Sequence, residues 1–273
     1  MTKFGHFTRI SDKRRFQRFK CHLCSFVFSD VSFHRCYRQK KRRLNGQILR
    51  HLSSKVSQRR VAELLGIHRT TVARRLIFLG AQYRLKNAFI RSRFHLVSKM
   101  QFDDLETFEH TKCKPLSVTM AVEEGTRYIL GFRVSVMPAK GYLASLSRKK
   151  YGPRPDGRKK AREELFEEIR PLIDPCATIL SDQSPHYPLS VKKYFPKATH
   201  KTCKGKRGCV TGQGELKKTG FDPLFSLNHT FAMLRDNINR LVRKTWCTTK
   251  DIERLKDHIE IYVYYHNKKL MGL

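Results

Sequence analysis

Two stretches of this sequence run apolar and then end on carboxylates: MQFDD, with Asp103 and Asp104, and CATILSD, with Asp182. Two carboxylates brought together can hold a hard divalent cation through oxygen. A phosphodiester reaction uses two such ions about 4 Å apart, one at the attacking and one at the leaving oxygen. Further along, Asn228 and Arg235 stand seven residues apart in LNHTFAMLRD, two turns along one helix face. Near the start, CHLC sets Cys21 and Cys24 in a C-x2-C knuckle that can present two thiolates to one tetrahedral zinc. A second pair of ligands is then required, and His34 and Cys36 of FHRCY are the candidates, with His6 and His22 as alternatives. A zinc-free remnant with free or buried thiols accounts for the same residues.

The acids are useful only if the fold brings them together. From Lys99 onward the pattern predicts a strand in MQFDDLETFEH that ends in acids, then two strands, LSVTMAVEE and YILGFRVSV, separated by a turn at Glu124-Gly125. An amphipathic helix in GRKKAREELFEEIRPLI, the strand ending at Asp182, a helix through LSVKKYF and a short strand near ATHKTC follow. Last comes a long helix from about Leu227 to Thr245, with Leu227, Phe231, Leu234, Ile238 and Leu241 as its apolar stripe. Three strands, helix, strand, helix, strand, helix is the ribonuclease-H-like order, an α/β fold with a mixed sheet flanked by helices. Strands one and four are neighbours in that fold, so Asp103 and Asp182 should meet at one edge of the sheet. Asp103 alternates with the polar Gln101; a register one residue off would put Asp104 in its place. Asp182 could instead cap a helix, Glu215, Asp222 and Asp236 are alternative third acids, and His186 and His229 could touch a phosphate or be structural.

The segment QRRVAELLGIHRTTVARRLIFLG, residues 58–80, has the spacing of a helix-turn-helix. Val61, Leu64 and Leu65 form the stripe of a first helix, Gly66 the turn, and Ile67, Val72 and Leu76 the inward face of a second; Ala62 is small where the helices cross. His68, Arg69, Thr70, Ala73 and Arg74 then face outward, towards a DNA major groove. Gln47 to Leu52 would supply a support helix. A plain helical hairpin with a solvated basic face is the alternative, but residues 55–86 contain a single acid, Glu63.

Charge agrees with a polyanionic partner. The 273 residues carry 57 Lys+Arg against 23 Asp+Glu, a net charge of +34. Residues 1–100 hold 25 basic and 3 acidic side chains, and the remainder 32 and 20. The N-terminus lacks the apolar run of a signal peptide and no stretch is long enough to span a bilayer, so a soluble, cytoplasmic, nucleoid-associated protein is expected, with no membrane partner. In a reducing compartment the eight cysteines are expected to be thiols or metal ligands, Cys203 and Cys209 being thiols. Residues 200–223, glycine-rich and basic, read as a loop that closes on DNA. Three blocks result: 1–44, zinc-ribbon-like or remnant; 45–95, helix-turn-helix; 96–273, catalytic.

The segment LNHTFAMLRDNINRLVRKTWCTTKDIERLKDHI resembles the last catalytic helix and its continuation in DDE-type bacterial insertion-sequence transposases, the group resembling insertion sequence one. FDDLETFEH and ILSDQSPHY resemble that family's first and second aspartate segments, and a zinc-ribbon and helix-turn-helix front end also fits, so the resemblance covers nearly the whole chain. It implies hydrolysis at a transposon end followed by attack of the freed 3′-hydroxyl on target DNA, with two magnesium ions and a homo-oligomer assembled on double-stranded DNA. Where the family pattern has a glutamate seven residues before a basic residue, this chain has Asn228 before Arg235, as related groups do. The resemblance thus implies a triad of Asp103, Asp182 and Asn228, with Arg235 on a phosphate. An amide oxygen ligates without charge and holds a cation less tightly. The competing reading is a decayed or domesticated copy acting as a DNA-binding regulator. A resolvase-type recombinase using Ser181 is the weakest reading, since no N-terminal catalytic domain surrounds that serine.

Overall fold

The computed structural model describes residues 1–10, 12–37, 39–204, 222–244 and 246–272. Most of the loop expected over 200–223, with Cys209 and Glu215, lies outside the described residues, as do Arg38 and Thr245. The chain divides into two compact units, Met1–Gly46 and Gln47–Leu273.

The smaller unit is an antiparallel sheet of β1 (Thr2–Thr8), β2 (Arg15–Lys20) and β3 (Val27–Ser29), in that order. Aromatic pairs hold neighbouring strands together: Phe7 stacks on Phe16 with ring centres 5.5 Å apart, and Phe19 on Phe28 at 5.9 Å. None of its described apolar side chains is fully buried, so these cross-strand contacts stand in for a core.

The larger unit opens with helices. Helix α1 (Asn45–Leu52) is followed by α2 (Gln58–Leu64), which starts where the Ser57 hydroxyl accepts the Arg60 N–H at 3.3 Å. Gly66, at φ +57°, makes the turn into α3 (Arg69–Arg91). Val61, Ala62, Val72 and Leu76 are buried between the helices, as the motif requires. Leu64 is not part of that stripe: it is 52% exposed, one helical step of about 100° round from half-buried Leu65.

Helix α3 continues 11 residues beyond the motif's end at Gly80, and this extension packs along the C-terminal helix, Ile252–Leu270. Gly80 is the crossing point, because a Cβ there would stand 2.5 Å from the Asp257 Cβ. Arg84 reaches Asp257 at 3.4 Å and Glu260 at 3.5 Å, the Asn87 amide donates to Glu260 at 2.8 Å, and the Tyr83 and Tyr264 rings stack at 4.3 Å. The helix-turn-helix and the sheet therefore share one packed body.

That sheet contains β4 (Val97–Phe108), β5 (Pro115–Glu123), β6 (Ile129–Val136), β7 (Ile173–Asp182) and β8 (Thr199–Cys203). Their order is β6-β5-β4-β7-β8, with β4 to β6 antiparallel and β7 and β8 parallel to β4. Helices α4 (Leu143–Tyr151) and α5 (Arg158–Ile169) precede β7, α6 (Tyr187–Tyr194) follows it, and α7 (Phe225–Asn237) and α8 (Ile252–Leu270) end the chain. One face, with Met100, Phe102 and Ile179, buries α5 and α6; the other, with Leu105, Val118 and Met120, buries α7 and α8. This mixed five-stranded sheet flanked by helices is compatible with a ribonuclease-H-like fold. No described helix is long and apolar enough to cross a membrane.

Two elements differ from the sequence reading. Helix α4 was not anticipated, since LASLSRKKY has a weak apolar pattern. The long helix expected from about Leu227 to Thr245 stops at Asn237: Ile238 is extended, at φ −103° and ψ 106°, and a 3-10 turn covers Asn239–Leu241. The break meets the turn at Lys55, whose N–H donates to the Asn237 carbonyl at 2.7 Å and whose carbonyl accepts from the Asn239 amide at 3.3 Å. The apolar stripe survives the break, with Leu227, Phe231, Leu234, Ile238 and Leu241 all buried.

Candidate active site at the β4–β7 edge

Sheet register places the two aspartates. Strands β4 and β7 pair up to Gln101 opposite Leu180, and Asp103 and Asp182 each lie two residues further on. Paired residues share a face and side chains alternate with period two, so both carboxylates leave the same face on adjacent strands. Asp182 is the last residue of β7, as the sequence suggested, but Asp103 is mid-strand, because β4 runs on against β5 to Phe108. Asp182 is not a helix cap: its Oδ1 accepts the Ser184 N–H at 3.0 Å, and the cap position of α6 belongs to His186.

Asp103 Oδ1 accepts the Tyr187 hydroxyl at 2.9 Å and the backbone N–H of Asp104 at 2.7 Å. The same hydroxyl lies 3.2 Å from Asp104 Oδ2, and Asp104 also takes the Thr119 hydroxyl from β5. Burial, and next the like charge of Asp182, push the Asp103 carboxyl up to about 7. Burial and the surrounding acids drive the Tyr187 phenol far above its ordinary range, so it stays a proton donor. Arg162, only 3% exposed on α5, fixes that tyrosine: its guanidinium lies 4.9 Å over the Tyr187 ring and donates to the Ser190 hydroxyl at 3.0 Å and the His186 carbonyl at 3.3 Å.

Helix α7 supplies the opposite wall. A cavity of about 450 Å³ is lined by Asp103, Asp104 and Asp182 together with Asn228 and Arg235 of α7. The Asn228 amide donates to Asp222 Oδ2 at 2.8 Å. Lys140, Arg158 and Arg243 complete a cationic rim; none of these was singled out from the sequence, and neither was Tyr187, which stands five residues after Asp182. Arg158 is tied to Asp156 at 2.6 Å, Lys140 to Glu106 at 2.6 Å, and Arg243 to the Glu106 carbonyl at 3.0 Å. Burial and the neighbouring Arg243 lower the Arg235 pKa.

Asp103, Asp104, Glu106 and Asp182 bring carboxylates to this cavity and Asn228 an amide; carboxylate and amide oxygens suit a hard divalent cation. Repulsion between Asp103 and Asp182 is the strain such an ion would relieve. Of the alternative third acids, Asp222 is one hydrogen bond behind Asn228, and Asp236, with a 70% exposed side chain, pairs with Lys55 at 3.0 Å instead. His229 lies 3.1 Å from an Arg127 nitrogen, and burial followed by that arginine lowers its pKa. Ser181 is fully buried against His200 at 2.9 Å and does not line the cavity.

The other sequence candidates fall elsewhere. His68, Arg69, Thr70 and Arg74 are exposed on the first turns of α3; His68 caps that helix, its Nδ1 accepting the Thr70 N–H at 3.3 Å. Cys21 and Cys24 share a turn in which hydrogen bonds from backbone N–H groups and from Cys24 lower the Cys21 thiol. The second zinc pair is not assembled: His34 Nδ1 accepts the Cys36 N–H at 3.0 Å, and Cys36 Sγ lies 3.6 Å from the Asn45 amide. Among the described residues no group of three or more His, Cys, Asp or Glu is placed to hold a metal ion.

No family model matches the chain. No curated protein matches it either. Among solved structures, a crystal structure of the Mos1 strand transfer complex is similar over 86% of this chain and 79% of that one, at 12% identity and a TM-score of 0.27. A likeness that distant carries no argument, and the functional reading rests on the residues themselves.

Proposed function

We propose that this protein is a DNA transposase of the DDE type, with Asn228 in place of the third acid. One observation carries the reading: two carboxylates on neighbouring strands, an amide and an arginine from a third element, and a cationic rim converge on one cavity. A binding module has no use for acids that repel phosphate. Asp103, Asp182 and Asn228 would hold magnesium, which when bound stabilises charge on the phosphodiester oxygens. Arg235, with Arg243 and Lys140, binds and orients the phosphate. Tyr187 holds Asp103 in place and keeps its proton throughout. In the first step water attacks phosphorus and the bond to the 3′-oxygen breaks, freeing a 3′-hydroxyl; in the second that hydroxyl loses its proton and attacks phosphorus in a target phosphodiester, whose own bond to the 3′-oxygen breaks, that oxygen taking up a proton and leaving as a new 3′-hydroxyl. His68, Arg69, Thr70 and Arg74 bind the transposon end, and two copies meet on DNA, one for each end.

The replacement of an acid by Asn228 favours a second reading, a DNA-binding regulator that has lost catalysis. A strand-transfer assay on DNA carrying the flanking inverted repeats, with Asp103→Ala and Asp182→Ala as controls, separates the two. Magnesium-dependent cleavage lost in both variants, with DNA binding intact, is the expected result. Unmutated protein no more active than the variants would reject the enzyme.

A further inference from the structure

Asn228 stands where a charged ligand would be expected, and an amide has two ends. Its NH2 would repel a cation; only Oδ1 can ligate one. Which end faces the cavity is set by the hydrogen bonds around it. Here Asp222 decides: a carboxylate only accepts, and its Oδ2 takes the Asn228 NH2 at 2.8 Å. Among the described residues Oδ1 is thereby left as the unengaged end of a side chain that lines the cavity.

Asp222 is itself fixed. Its Oδ1 accepts the Leu224 N–H at 2.9 Å and its carbonyl accepts the Phe225 N–H at 3.0 Å, so it closes the start of α7. The adjoining residues are tied to the catalytic strand, since Gln101, 1% exposed on β4, donates to the Pro223 carbonyl and accepts the Leu227 N–H, both at 3.0 Å. Ser226 accepts the Gly125 N–H at 2.9 Å on the same side. The carboxylate behind Asn228 thus belongs to a helix start that is hydrogen-bonded to the strand carrying Asp103.

We infer that Asp222 is a positioning residue that turns the Asn228 oxygen towards the metal and supplies, one hydrogen bond away, the negative charge the amide lacks. The inference rests on the metal-dependent reading above. A carboxylate bonded to the far side of a ligand polarises it and raises its basicity, as the acids behind metal-bound histidines do. The spacing follows from the helix: Asp222 precedes its first turn and Asn228 lies at its fourth residue, so the two side chains meet across one turn.

The experiment is a manganese titration of the full-length protein followed by electron paramagnetic resonance of free Mn²⁺, in the absence of DNA. Asp222→Asn keeps the shape and the acceptor for Leu224, but its new NH2 competes for the Asn228 oxygen. Mn²⁺ affinity should fall about tenfold, with the melting temperature unchanged. In an Asn228→Asp background the order reverses: that ligand needs no orienting and Asp222 now repels it, so adding Asp222→Asn should leave affinity equal or improved. Asp222→Ser, which also keeps a cap acceptor, gives the same test should the asparagine variant fold poorly. Unchanged Mn²⁺ affinity in Asp222→Asn, or the same loss in both backgrounds, overturns the inference. Asp103→Ala and Asp182→Ala stand apart as controls: if they too leave Mn²⁺ binding intact, the metal-dependent reading itself has failed.

Discussion

Gln101 Oε1 accepts the backbone N–H of Leu227 at 3.0 Å, across 126 residues of sequence. Leu227 is the third residue of α7, one of the positions whose N–H has no partner within its own helix. A side chain on β4, the strand that carries Asp103, therefore caps the helix that carries Asn228 and Arg235, and its amide NH2 also holds the Pro223 carbonyl at 3.0 Å. Gln101→Leu should cost about 1–3 kcal/mol, the penalty of leaving the buried Leu227 N–H unpaired. Cleavage should fall further than the loss of folded protein accounts for, because Asn228 and Asp103 lose their common frame. Urea unfolding alongside cleavage at saturating magnesium checks both, and a loss of activity that merely tracks unfolding would contradict the framing role.

Gly80 marks the closest approach of α3 to α8. A Cβ added there meets the Asp257 side chain at 2.5–2.6 Å and its Cα at 2.8 Å, and backbone cannot swing aside. Gly80→Ala should destabilise the larger unit by about 1–3 kcal/mol through overpacking, outweighing the roughly 1 kcal/mol that alanine gains over glycine in a helix. Thermal melting reads the sign directly; a stabilised variant would mean the helices separate more easily than their packing indicates.

Much of this was legible in the sequence, and what was missed has a common cause. Period-two alternation placed Gln101 and Asp103 on one face, and the 3.6-residue stripe placed Leu227 to Leu241, so the residues that share the cavity could be named. Periodicity reports which face is buried, not whether the backbone stays helical. Ile238 and Leu241 keep the stripe while the chain leaves the helix at Asn237, which is why the break was invisible. Gly80 is only the last residue of the helix-turn-helix segment in the sequence, whereas in the fold it allows a helix crossing. Tyr187, Arg158, Lys140 and Arg243 come from helix starts and connections with no periodic signal, and only the tertiary fold brings them to the aspartates.

Arg69 and Arg74 are exposed on α3 and form no ion pair among the described residues. If they contact DNA phosphates, each removes about one counterion from the salt dependence of binding. Arg69→Ala with Arg74→Ala should weaken binding to terminal DNA and flatten the plot of log affinity against log salt by roughly two units of slope. Circular dichroism should be unchanged, since neither side chain is buried. An unaltered slope would place the DNA on another face of the protein.

His258 makes stability depend on pH. Its Nε2 lies 2.8 Å from the Leu52 carbonyl at the end of α1, and it is 2% exposed, so only a neutral ring with Nε2–H donating fits. Nδ1 is buried without a partner among the described residues, leaving a second proton nowhere to go. Burial therefore lowers the pKa from 6.5 to about 4, the Leu52 carbonyl opposing and Arg240 adding to the shift. A folded-state pKa below the unfolded one means the unfolded chain binds the proton more readily. The stabilisation is fully present above pH 6.5 and is lost as pH falls towards 4; the difference is about 3 kcal/mol. Asp103 acts in the opposite direction, because its raised pKa favours the folded state at low pH and that contribution fades as pH rises through about 7. Unfolding free energies at pH 7.5, 5.5 and 4.5 should therefore be compared between the native protein and His258→Gln, whose amide can donate to Leu52 without titrating. The variant should lose less stability on acidification, and equal slopes would show that α1 and α8 come apart before the histidine is protonated.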